Sequence, residues 1–157
     1  SEATMTDRLL IRIAQEKDVP ALVAIYAADE FGHGDSTDPA LLPVYQAAFT
    51  AITASTAETL YVAEIGDVIV GTFQTLSTVT LTGQGTLSMI VEAVQTHPDH
   101  RGKGIGAKMM AFCIEDARKR GAKIIQLTSN ASRTDAHRFY ERLGFVKSHA
   151  GFKMKLA

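Results

Sequence analysis

Ile90-Val91-Glu92-Ala93-Val94-Gln95-Thr96-His97-Pro98, followed shortly by Arg101-Gly102-Lys103-Gly104-Ile105-Gly106, is the stretch on which the fold turns. The first part is a β-branched, mainly apolar run of strand type. The second is a glycine-rich turn, and residues 104–120 after it have helical character, closed by Gly121 behind the cations Arg118-Lys119-Arg120. Three alternate glycines between a strand and a helix let backbone approach a bulky anion. The free N–H groups of the helix's first turn then point at that anion, and Arg101 and Lys103 add charge beside it. A flexible glycine-rich connection with solvated cations would read the same way at this point.

Working outward, Leu9–Ile13 reads as a first strand. Asp18 is placed to cap a helix with Pro20 in its first turn and Leu22, Ile25 and Tyr26 as its apolar stripe. The loop Phe31–Ser36 leads to a second helix, capped by Asp38 and started by Pro39, with Leu42, Tyr45, Phe49 and Ile52 facing inward. Leu60–Ile65 and Val68–Phe73 form a hairpin around Gly66-Asp67, the second arm extending towards Leu81. Gly83-Gln84-Gly85 turns the chain into Leu87–Thr96. Beyond the central helix lie a strand over Lys123–Thr128, a helix over Arg133–Leu143 and a hairpin over Phe145–Leu156 that turns near Gly151. The expected order is β-α-α-β-β-β-α-β-α-β-β, a mixed α/β fold of about seven strands and four helices.

Composition limits the function classes. A chain of 157 residues, 46% hydrophobic and 21% charged, fits one globular domain with its own core, with residues 1–7 as a flexible tail. The net charge of −1 offers no general attraction to nucleic acid or an anionic membrane. The single cysteine, Cys113, rules out an internal disulfide and suits a reducing, cytoplasmic setting. No run reaches membrane-spanning length, no signal-type segment opens the chain, and no His, Cys or acid cluster has metal-ligand spacing.

The turn lacks the P-loop pattern, and a dinucleotide fingerprint forced onto Gly102, Gly104 and Ala107 finds Thr128-Ser129-Asn130 where an acid is wanted. Arg-x-x-Gly-x-Gly opening a helix resembles instead the acyl-CoA pyrophosphate turn of the GNAT superfamily of N-acetyltransferases. The strand Ile90–Thr96 and the segment Thr128–Phe145 resemble that family too, so the likeness covers roughly residues 86–147. It implies a largely antiparallel mixed sheet splayed near its middle strands, with acetyl-CoA as cosubstrate. A small-molecule amine is the expected acceptor, no metal is expected from the residue spacing, and a homodimer is expected by analogy with such folds. An acyl-CoA-binding module without catalysis, or acetylation of a protein or peptide amine, are the alternatives.

Acetyl transfer needs a base for the amine, a donor for the oxyanion and an acid for the thiolate. Glu92 is the expected base, because a carboxylate on a mainly apolar strand is costly unless it lines a polar cleft; similar enzymes carry a glutamate there, acting through water. Simple alternation puts Ile90, Glu92, Val94 and Thr96 on one face and Met89, Val91, Ala93 and Gln95 on the other. By pattern alone Tyr140 is a core aromatic; the resemblance makes it the acid beside the CoA sulfur. The resemblance assigns the cofactor contacts to Val94, Gln95 and Thr96 through their main chain, and to Arg101, Gly102, Lys103, Gly104, Ile105 and Gly106 in the turn. Asn130 is added because Arg133 stands where the family has a cofactor-binding asparagine. Cys113 reads as a packed thiol, His97 and His100 as solvent-facing. The acidic loop Asp29–Asp35 reads either as a solvated connection or as a guide for a cationic acceptor.

Overall fold

A computed structural model describes residues 8–157, so the expected N-terminal tail lies outside the described residues. Five strands form one sheet in the order β1-β2-β3-β4-β5: β1 Leu10–Ile13, β2 Glu58–Ile65, β3 Val68–Val79, β4 Leu87–Thr96 and β5 Ile124–Leu127. Consecutive strands β1 to β4 pair antiparallel, and β5 joins β4 in parallel after the helical crossover. The helices are α1 (Val19–Ala27), α2 (Leu42–Ala54), the single turn α3 (Thr82–Gly85), α4 (Ile105–Lys119) and α5 (Thr134–Arg142). Positive φ at Gly83, Gln84 and Gly85 makes α3 the tight turn the sequence predicts, rather than a true helix.

Alternation along β2 divides the interior. Tyr61 and Ala63 join Phe73, Met109, Met110 and Cys113 in the larger core on the α4 face, where Tyr61, Phe73 and Phe112 pack ring to ring. Leu60 and Val62 join Leu22 in a second core under α1. Cys113 is fully buried, and burial followed by the nearby Asp116 pushes its thiol up to about 12, which makes it inert packing.

The expected count of seven strands is too high. Residues 145–157 form no ladder, and Phe152, Met154 and Leu156 stand 97%, 82% and 90% exposed. Their alternation with lysines is strand-like, but a strand also needs a neighbour with free edge groups. β5 has only four residues, and the chain after Gly144 is held by local bonds such as Ser148 N–H to Val146 O.

Asp18 does not cap α1 as its position predicts, for its side chain makes no cap hydrogen bond. Its carboxylate, 5% exposed, takes two hydrogen bonds from the Arg12 guanidinium (2.8 and 2.9 Å) and one from Gln15 N–H (2.7 Å), while Arg12 also reaches Glu64 at 3.3 Å. Burial raises the carboxyl, but Arg12 and Gln15 outweigh it and hold Asp18 below its ordinary range. A carboxyl depressed on folding stabilises above its unfolded value near ~3.9, and that contribution disappears as pH falls through the lower folded value. Asp18→Asn is expected to cost on the order of 2 kcal/mol, less than a fully buried pair because Arg12 keeps some solvent. Urea unfolding at pH 7 and pH 3 checks it: the variant should lose less stability than wild type between the two.

Candidate active site

The middle of β4 is irregular in a way that simple alternation does not anticipate. Gln74 lies opposite Glu92 but Thr72 lies opposite Gln95, so β4 carries one extra residue, and Ala93 sits at φ 51. A positive φ on alanine is strained, which marks this bulge as a feature the surrounding packing enforces. Residues opposite one another in an antiparallel pair point to the same face. The bulge therefore puts Gln95 on the face of Glu92, Gln74 and Thr72, towards α1 and α2, instead of on the face of Val91. Gln95 Nε2 confirms that direction by donating to Asp29 Oδ2 in the α1–α2 loop at 2.9 Å. Val94, by contrast, packs against the larger core on the α4 face.

At the same place the sheet opens. The last pair between β4 and β5 is Val91 with Leu127, so from Glu92 to Thr96 β4 keeps β3 on one side and has no strand on the other. Glu92 is exposed at the head of this opening, not buried in a continuous sheet. Its carboxylate therefore bears no burial cost. What sets Glu92 apart is its place, first beyond the last β5 pair and next to the bulge.

The turn after β4 starts α4. Gly102 and Gly104 have φ 76 and 80, and nothing lies within 4 Å of a Cβ at either, so conformation rather than space requires glycine there. Gly106 is different: a Cβ there would meet Phe139 Cζ at 3.6 Å and Thr96 Oγ1 at 4.0 Å, so the end of β4, the start of α4 and α5 converge on it. The first α4 ladder bond runs from Lys108 N–H to Gly104 O at 3.1 Å, leaving the amides of Ile105, Gly106 and Ala107 ahead of the ladder. Buried Ile105 pins this end of the helix, while Arg101 is exposed and Lys103 half-buried. Such an end suits a pyrophosphate: oriented amides, left-handed glycines and flanking cations.

His97 and His100 are half-buried rather than solvent-facing, their rings 5.5 Å apart. His97 Nδ1 accepts from Asp99 N–H at 3.1 Å, and burial, then Lys103, holds His100 below its ordinary range. They shape the bend between β4 and the turn.

Tyr140 enters from α5 on the α4 side of the sheet, half-buried, its ring edge-on to Phe139 (5.2 Å) and Phe145 (6.0 Å). Burial pushes its phenol up, with Arg133 pulling weakly the other way, so the hydroxyl is held in its protonated form. Asn130 is exposed, and its Oδ1 accepts from Ser132 N–H (2.9 Å) and Ser132 Oγ (2.7 Å) in a local turn. Only its amide nitrogen is left to face a ligand.

Two features escape sequence reasoning. The Arg133 guanidinium stacks over the Phe31 ring at 5.1 Å, tying the loop before α5 to the α1–α2 loop. On the Glu92 face, a cavity of about 280 Å³ lies between α1, α2 and the sheet, with Asp29, Asp35, Ala93 and Gln95 among its lining. The signals for the cavity are the apolar stripe of α2 and the acidic loop Asp29–Asp35; the stacking pair leaves none. Among the described residues no helix is long and apolar enough to cross a membrane, and no three His, Cys, Asp or Glu side chains group as metal ligands.

Comparison with known proteins agrees with this architecture. The chain is 44% identical over 59 residues to the aminoalkylphosphonate N-acetyltransferase of Salmonella typhimurium, a match covering 38% of this chain and 38% of that protein. The chain thus aligns with about two-fifths of that relative's length. A solved transcriptional regulator from Bacillus halodurans C-125 is 40% identical, with TM-score 0.91 over 94% of this chain and 99% of that one. A putative acetyltransferase from Agrobacterium tumefaciens is 27% identical, with TM-score 0.81 over 93% and 99%. The model of the acetyltransferase (GNAT) family matches residues 19–145, which span the α1–α2 pair, the bulged strand, the glycine turn and α5, and the chain belongs to that family.

Proposed function

We propose that the protein transfers the acetyl group of acetyl-CoA to the primary amine of a small molecule by direct attack. The observation that carries this reading is the gap beside residues 92–96, where β5 has ended. Through it, Glu92 on the α1–α2 face and Tyr140 on the α4 side can serve one reaction from opposite sides of the sheet. The pyrophosphate is held by the amides of Ile105 and Gly106 and by the Arg101–Gly104 turn. The pantetheine lies along the main chain of Val94, Gln95 and Thr96, and Asn130 contributes its amide.

The neutral amine attacks the thioester carbonyl, and the Val94 N–H stabilises the oxyanion that forms. The C–S bond then breaks; the amine's proton leaves through water to Glu92, and the thiolate takes the Tyr140 proton, giving an N-acetylamine and CoA thiol. Because Glu92 is exposed, bulk water can replace part of its work. Glu92→Gln should therefore lower kcat about tenfold, short of the ~10²–10⁴ typical of general acid–base groups, with acetyl-CoA affinity unchanged. Thiol release with a panel of amines tests both points, and identical kcat in the variant would remove Glu92 from the mechanism.

A second reading has one observation in its favour, the transcriptional regulator among the similar structures. An acyl-CoA sensor on this fold would bind acetyl-CoA without releasing thiol to any amine, so the same assay separates the two. A concave cavity on the Glu92 face favours a small acceptor over a protein amine.

A further inference from the structure

Resting on the acetyltransferase reading, we infer that the acceptor is a monoamine with an apolar body the size of an arylalkyl group, and that Asp29 and Asp35 draw its ammonium into the cavity, where it gives up one proton to solvent water and then attacks as the neutral amine. The first observation is α2. Thirteen residues long and rich in apolar side chains, it buries none of them. Its inward residues Phe49 and Ile52 are only half-buried although they touch the core under α1. An amphipathic helix normally hides that stripe. Here the stripe borders the cavity, so α2 presents an apolar wall to whatever enters.

The second observation is how polarity is distributed. Leu22, Val23, Phe49, Ile52 and Leu60 form the apolar part of the cavity. Its acids are both held in place: Asp29 Oδ2 by Gln95 Nε2 at 2.9 Å, Asp35 Oδ1 by the Tyr45 hydroxyl at 2.8 Å. Neither bond neutralises the carboxylate. No lysine or arginine lines the cavity, and Arg133 is stacked on Phe31 outside it. Ala93 and Gln95 set the cavity against the bulge, on the face of Glu92.

These facts select among amines. A phosphonate or carboxylate on the acceptor would meet two fixed acids and, as the one basic residue of the lining, His33. A second ammonium, or the hydroxyls of an amino sugar, would find few partners, because Tyr45 and Gln95 are engaged by Asp35 and Asp29 and the other polar lining is Tyr26, His33 and Gln74. A ring and short linker fit, since an apolar cavity of ~150 Å³ already accepts benzene. The chain would then differ in acceptor from the aminoalkylphosphonate N-acetyltransferase with which it shares sequence.

The test compares kcat/KM for 2-phenylethylamine, spermidine, glucosamine and 2-aminoethylphosphonate at saturating acetyl-CoA. 2-Phenylethylamine should exceed each of the others by at least about tenfold, as one mismatched polar or apolar group typically imposes. Ala48→Phe places a ring in the cavity from an exposed helix position. It should raise KM for 2-phenylethylamine at least about tenfold and leave KM for acetyl-CoA unchanged, with the fold checked by circular dichroism. Preference for spermidine, glucosamine or the phosphonate in the wild-type protein overturns this inference and leaves the acetyltransferase reading standing. So does an unchanged KM in Ala48→Phe. Acetyl-CoA binding with no amine acetylated overturns the acetyltransferase reading itself, and this inference falls with it.

Discussion

Gly104→Val is expected to weaken acetyl-CoA binding at least about a hundredfold while the circular dichroism of the protein stays native. Gly104 sits at φ 80 immediately before α4, with open space where a side chain would go. The substitution therefore meets no clash; it meets a backbone angle that a β-branched residue strongly disfavours, by about 1–2 kcal/mol or more. If the chain relaxes to negative φ, the amides of Ile105, Gly106 and Ala107 rotate away from the position in which they can face a pyrophosphate. If it does not relax, the strain is carried and the branched side chain stands where the phosphates approach. A hundredfold loss corresponds to about 2.7 kcal/mol, near the sum of that strain and one charge-assisted hydrogen bond. Lys103→Ala removes one cation and leaves every amide in place, so its effect should stay within about fivefold. Calorimetric titration with acetyl-CoA measures both, and equal affinities for Gly104→Val and wild type would mean that the turn is not the cofactor site.

Tyr140→Phe should lower kcat about a hundredfold with acetyl-CoA affinity and melting temperature nearly unchanged. The hydroxyl is the only group lost, and the ring contacts with Phe139 and Phe145 remain. A general acid is worth ~10²–10⁴-fold, and water can partly protonate a thiolate, which places this case at the lower end. Burial raises the phenol above its ordinary ~10, so the acid form persists through neutral and mildly alkaline pH. No fall in kcat from Tyr140 ionisation is therefore expected up to pH 9. A drop below about threefold in the variant would make Tyr140 a packing residue of α5.

Much of this site can be read from residues because its signals are local. The glycine turn, its cations and the helix behind it follow from rules that act over a few positions, and the structure has each of them where the sequence puts it. The β2–β3 hairpin and the stripe of α2 are equally local. The bulge at Ala93 is not: alanine has no preference for positive φ, and only the register with Thr72 and Gln74 reveals the extra residue. That one residue moves Gln95 to the other face of the sheet and corrects the alternation on which the face assignments rested. Asp18 reads as a cap, but Arg12 and Gln15 compete for its carboxylate and win. The alternation of Phe152, Met154 and Leu156 is strand-like, yet a strand requires an edge to pair with, and a sequence does not show whether one is within reach.

Acetyl transfer at the opening beside residues 92–96 can be followed through both of its products. The most direct measurement incubates the protein with acetyl-CoA and a mixture of small primary amines and follows both the amines by mass spectrometry and the thiol released. The expected product is an amine heavier by one acetyl group, formed in equal amount with CoA thiol, and both are lost in step in Tyr140→Phe. Tight binding of acetyl-CoA with no acetylated amine and no thiol beyond the uncatalysed rate would contradict acetyl transfer at this opening.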